Sequence, residues 1–66
     1  MHVTINGERR ELAPGATVDD AVTAIGAPRS GVAVAVDGEV VPRADWVLMK
    51  LSEDAAVEVL TAVQGG

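Results

Sequence analysis

With 66 residues, a formal net charge of −5 and no cysteine, the chain cannot carry a disulfide framework, thiol chemistry or a zinc knuckle. Its acidity argues against nucleic acid, whose phosphates select clusters of Lys and Arg, and favours partners with basic docking surfaces. The hydrophobic fraction of 48% is enough for a core and rules against disorder, while no apolar run is long enough to suggest a membrane span.

The core has to be aliphatic, because the chain has no Phe, no Tyr and one Trp. Valine dominates, and branching at Cβ suits strands. "HVTIN" alternates, which predicts a first strand with Val3 and Ile5 on one face. It also differs from the charged, then apolar pattern of a signal peptide, so the expected location is cytoplasmic. Asn6–Gly7 is a hairpin-turn signal. "RRELA" then returns as a second strand with Leu12 inward, and Pro14–Gly15 ends it.

A helix follows. Thr17 is placed as N-cap, with Asp20 three residues on in a capping-box arrangement, and Asp19 and Asp20 complement the helix dipole. Val18, Ala21, Val22 and Ile25 form one apolar stripe over about nine residues. Gly26 ends the helix and Pro28 prevents its resumption.

"GVAVAVDGEVV" predicts strand, turn and strand around Asp37–Gly38. Val32, Val34 and Val36 face one way, and Ala33 and Ala35 the other. Pro42 restricts the second arm to a short edge strand. "RADWVLMKLSED" reads as a loop with one helical turn, anchored by Trp46 and Leu51. "AAVEVLTAV" is a final strand with Val57 and Val59 inward.

The expected fold is therefore α+β, a mixed sheet of four to five strands with one helix across one face. The first and last strands are expected to pair in parallel at its centre. Residues 1–62 are expected to form a single domain, with 63–66 as a flexible tail.

Side-chain chemistry is sparse. The only histidine is His2 and the only serines are Ser30 and Ser52, which offers no nucleophile–base–orienter set. The acidic pairs Asp19–Asp20 and Glu53–Asp54 read as a helix start and a solvated turn rather than a metal site. No phosphate-loop, dinucleotide or metal-helix spacing occurs. By itself the chain does not read as an enzyme.

The terminus is the feature with chemical potential. A carboxylate is a poor electrophile until adenylated, when it becomes an acyl donor to a thiol, amine or persulfide. An enzyme that does this must thread the terminus through a narrow channel. Gly65 and Gly66 suit that, having no Cβ and wide backbone freedom.

The stretches "VTINGERREL", "PGATV", "VAVAVDGEVVPRADW" and "VEVLTAVQGG" resemble the ThiS family of bacterial thiamine-biosynthesis sulfur carriers, end to end. The resemblance implies a ubiquitin-like β-grasp fold. It implies that a ubiquitin-activating-like adenylyltransferase of the ThiF type adenylates Gly66, using ATP and magnesium held by that partner. It further implies a persulfide donor, either a cysteine desulfurase or a rhodanese-type protein. The product is a C-terminal thiocarboxylate on Gly66, and a thiazole synthase of the ThiG type takes its sulfur. No bound cofactor and no metal site are expected on the chain itself. Val63, Gln64 and Gly65 are the expected threading segment.

With Val57 and Val59 inward, Leu60 and Ala62 point to the outer face with Ala33 and Ala35. That face and Arg43 form the expected docking surface. One departure stands out: the family usually places Gly-Asp before the last strand, where this chain has Ser52-Glu53-Asp54. A positive φ at Glu53 would carry strain. Alternative readings are the small subunit of molybdopterin synthase, a carrier for tRNA thiolation or protein conjugation, and a non-covalent β-grasp interaction module.

Overall fold

The computed structural model describes residues 1–61. Five strands are arranged in the order β2-β1-β5-β3-β4: β1 His2–Ile5, β2 Glu8–Glu11, β3 Val32–Val36, β4 Glu39–Val41 and β5 Ala56–Thr61. One helix, α1 Val18–Ala24, and a 3-10 turn, Arg43–Asp45, complete the described elements. β1 and β5 pair in parallel at the centre, with Thr4 opposite Ala56 and Ile5 opposite Val57. This is the expected α+β arrangement.

Both hairpins turn on two residues. Asn6 (φ 52°) and Gly7 (φ 82°) join β1 to β2, and Asp37 (φ 50°) and Gly38 (φ 88°) join β3 to β4. Two consecutive positive φ values give the turn whose twist matches that of paired strands. Asn and Asp tolerate this conformation better than other side chains, because their short polar groups bond locally.

The helix start is satisfied twice over. The Thr17 hydroxyl accepts from the Asp20 N–H at 3.3 Å, and the Asp20 carboxylate accepts from the Thr17 N–H at 2.8 Å. The Val18 and Asp19 N–H groups donate to the Met49 and Trp46 carbonyls, both at 3.0 Å. The orphan donors of the first turn are thereby spent on the 46–49 segment, and this locks that segment under the helix.

At the other end the helix closes after seven residues rather than about nine, with Ile25 as its half-buried C-cap. Gly26 (φ 71°) donates to the Thr23 carbonyl, and Ala27 to that of Val22. These two bonds make a Schellman closure, which requires a left-handed residue at Gly26.

The core lies between α1 and one sheet face. Val3, Ile5, Val34 and Val57 from the central strands meet Val18, Ala21 and Val22 of the helix, and all seven are buried. Trp46 is 2% exposed, and its indole N–H donates to the Val41 carbonyl at 3.0 Å, so its one polar atom is satisfied. Leu51 is buried in the same cluster.

Arg29 clips the loop after the helix back onto it. Its guanidinium meets Asp19 through two bonds of 2.7 and 2.9 Å, and the Thr23 hydroxyl at 2.7 Å. The hydrogen bond from Arg29 holds the Asp19 carboxyl below the usual carboxylate range, and the Asp19 carboxylate raises Arg29 in turn. Because the folded value for Asp19 is depressed, its contribution is complete above pH ~4 and fades as pH falls through the folded value.

The turn before β5 avoids strain at Glu53. The Ala55 N–H closes it onto the Ser52 carbonyl at 3.1 Å. The positive φ falls on Asp54 (65°), not on Glu53, so the residue in the left-handed region is one that tolerates it.

Candidate functional site

Alternation along β3 and β5 separates the two sheet faces. Val57 and Val59 are buried on the helix side. On the opposite side Leu60 is 65% exposed and lies directly across from Ala33, itself exposed. Ala35, half-buried, lies across from Glu58. The register therefore brings Leu60, Ala33 and Ala35 onto one outer surface two strands wide. The two alanines keep that surface low, with the exposed Glu58 beside Ala35 and the exposed Leu60 beside Ala33.

Val40 also belongs to this surface and was not anticipated from the sequence. It is 75% exposed and lies across from Ala35, which extends the patch to the sheet edge. The signal was available: a two-residue turn at Asp37–Gly38 puts Val36 opposite Glu39 and hence Ala35 opposite Val40. Beside β4 lies a groove of about 410 Å³ lined by Glu39, Val40, Val41, Pro42, Asp45, Leu48 and Met49.

Arg43 is exposed but begins the 3-10 turn after β4, so the sheet register does not bring it beside Leu60. The acidic 53–54 turn is engaged within the chain. The His2 main-chain N–H donates to the Glu53 carboxylate at 3.1 Å, and Asp54 lies 3.7 Å from the Arg9 guanidinium. Both carboxylates therefore have partners within the chain. Ala62, Val63, Gln64, Gly65 and Gly66 lie outside the described residues.

Among the described residues, no group of three His, Asp or Glu side chains is placed to hold a metal ion. No helix of the described residues is long and apolar enough to cross a membrane.

β5 itself is held from both sides by the two hairpin turns. The Asp37 carboxylate accepts from the Ala56 N–H at 2.9 Å, and the Asp37 N–H donates to the Ala56 carbonyl at 2.8 Å. On the other side, the Asn6 carboxamide takes both main-chain groups of Val59. Its oxygen accepts from the Val59 N–H at 2.8 Å and its nitrogen donates to the Val59 carbonyl at 3.1 Å. Sequence reasoning recognised both residues as turn formers and missed their bonds to β5.

Comparison with known proteins agrees with this architecture. The crystal structure of thiamine biosynthesis protein ThiS from Geobacter metallireducens superposes with a TM-score of 0.78 at 26% identity, covering 100% of both chains. The NMR solution structure of a thiamine biosynthesis protein from the same organism gives 0.78 at 29% identity, covering 100% of this chain and 88% of that one. No curated protein matches the chain. The family model described as the ThiS family matches residues 3–66, essentially the whole chain, and the chain belongs to that family.

Proposed function

We propose that this protein is a sulfur carrier in thiamine biosynthesis and that its working group is the C-terminal carboxylate of Gly66. The observation that carries the proposal is the extent of the family match, which runs to residue 66 and so includes the Gly65–Gly66 terminus. The chain acts as co-substrate of partner enzymes rather than as an enzyme.

The chemistry follows from the electrophile. An adenylyltransferase of the ThiF type transfers AMP from ATP to the Gly66 carboxylate and releases pyrophosphate. A persulfide supplied by a cysteine desulfurase or rhodanese-type donor attacks the acyl carbon and expels AMP. Cleavage of the resulting S–S bond by a second thiol leaves a thiocarboxylate on Gly66 and a disulfide on the donor side. A thiazole synthase of the ThiG type then takes the sulfur. With no cysteine in the chain, the carried sulfur has one place to reside, the terminus. ATP and magnesium belong to the activating partner.

Docking is assigned to the outer surface of β3 and β5, with Leu60 at its centre, Ala33 and Ala35 beside it, and Arg43 and Ala62 as secondary contacts. This surface adjoins Thr61 at the end of β5, and Val63, Gln64 and Gly65 are the proposed threading segment.

Deletion of Gly65 and Gly66 tests the proposal. The truncated chain is expected to keep its circular dichroism and melting temperature and to lose ATP-dependent pyrophosphate release with the adenylyltransferase. A truncated chain activated as well as the full one would overturn Gly66 as the working group. A chain that binds its partner equally well with or without Gly65 and Gly66, and is never activated at full length, would favour a non-covalent β-grasp module.

A further inference from the structure

β5 outruns its parallel partner. β1 follows it only as far as Val57, whose carbonyl accepts from the Asn6 main-chain N–H at 2.9 Å, and then turns away at Asn6–Gly7. β3 continues on the other side to Thr61, which lies opposite Val32. Beyond Val57, the β1 side of β5 would present unpaired main-chain groups. The Asn6 side chain reaches along the strand and occupies that position, two residues further on, with one acceptor and one donor.

A carboxamide is suited to this role because it offers both bonding types on one planar group, as a peptide does. Asp would keep the acceptor and set a negative oxygen against the Val59 carbonyl. Ala would supply neither bond. The left-handed φ of 52° required by the turn narrows the choice further.

We propose that Asn6 is a positioning residue for the carrier reaction: its carboxamide replaces the missing length of β1 and fixes the direction in which β5 leaves the sheet. The inference rests on the carrier function proposed above. A strand end held on one side only can pivot about its β3 ladder, and an activating enzyme must then order it on binding. Held on both sides, it is presented already aimed. The chemistry at Gly66 does not involve Asn6, so its loss should weaken capture of the carrier and leave turnover of the captured complex intact.

The test uses full-length Asn6→Ala and Asn6→Asp chains, kept well below their melting temperatures. Three quantities are measured: amide hydrogen exchange at Val59, circular dichroism, and the kinetics of pyrophosphate release with the adenylyltransferase. Both variants should stay folded, and Asn6→Ala, which loses the acceptor, should exchange the Val59 amide faster than wild type. In both, KM for the carrier should rise roughly three- to tenfold at unchanged kcat, the effect expected when a segment's ordering is shifted to the binding step.

An unchanged KM in a folded variant whose Val59 amide has loosened would overturn the assignment. So would loss of the folded state in both variants, since the carboxamide would then be holding the sheet together rather than aiming its end. A wild-type chain that is not activated, beside a known carrier that is, would overturn the carrier reading itself. An activated wild type with KM unchanged in the variants overturns the role of Asn6 alone.

Discussion

The two faces of the β3–β5 pair are built from the same two strands and obey opposite rules. On the helix side Val34, Val36, Val57 and Val59 are all below 8% exposed. On the other side the same strands carry Ala33, Ala35, Glu58 and Leu60, and Leu60 keeps 65% of its surface in water. One face uses branched residues to fill volume, and the other sets two alanines beside the larger, exposed Glu58 and Leu60. The difference shows which face has been shaped for the chain itself and which is free to meet something else. Period-two alternation lets one strand serve both purposes without compromise.

Substitution on the helix side should produce the largest effect. Trp46→Ala removes the largest buried side chain and leaves the Val41 carbonyl without its indole partner. Such a truncation costs about 3–5 kcal/mol, comparable to the whole stability of a domain this small. The expected outcome is loss of the cooperative thermal transition, followed by circular dichroism. A sharp transition within a few degrees of wild type would show that the core does not depend on Trp46.

On the outer face the expectation reverses. Leu60→Asp should change stability by no more than about 0.5 kcal/mol, as exposed positions do. Activation by the adenylyltransferase should fall by at least tenfold, because an uncompensated charge at the centre of an apolar contact is costly to desolvate. Unfolding of the variant would place Leu60 in the core. Normal activation would move the docking surface elsewhere, with the groove beside β4 as the next candidate.

Much of this division was legible in the sequence. Asn6–Gly7 and Asp37–Gly38 announced both hairpins, and Thr17 with Asp20 announced the helix start, because each is a local rule written within four residues. Alternation then placed Val57 and Val59 inward and Leu60 outward. Three things were less legible. Ile25 fits the helical stripe but serves as the C-cap, so the helix closes two residues early. The positive φ before β5 fell on Asp54 instead of Glu53, a choice made by the closed turn rather than by composition. The grip of Asn6 on Val59 spans 53 residues of sequence and appears only when β1 and β5 are side by side. Local patterns carry turns and periodicity, whereas a side chain standing in for a missing strand leaves no local trace.

In the proposed function the Gly66 carboxylate becomes chemically active only in a partner's hands. The most direct measurement is intact-protein mass spectrometry after incubation with the adenylyltransferase, ATP and a persulfide donor, followed by fragmentation of the C-terminal peptide. A mass rise equal to the exchange of one oxygen for one sulfur, localised to Gly66, is the predicted result. An unmodified Gly66, under conditions in which the same enzyme modifies a known carrier, would contradict it.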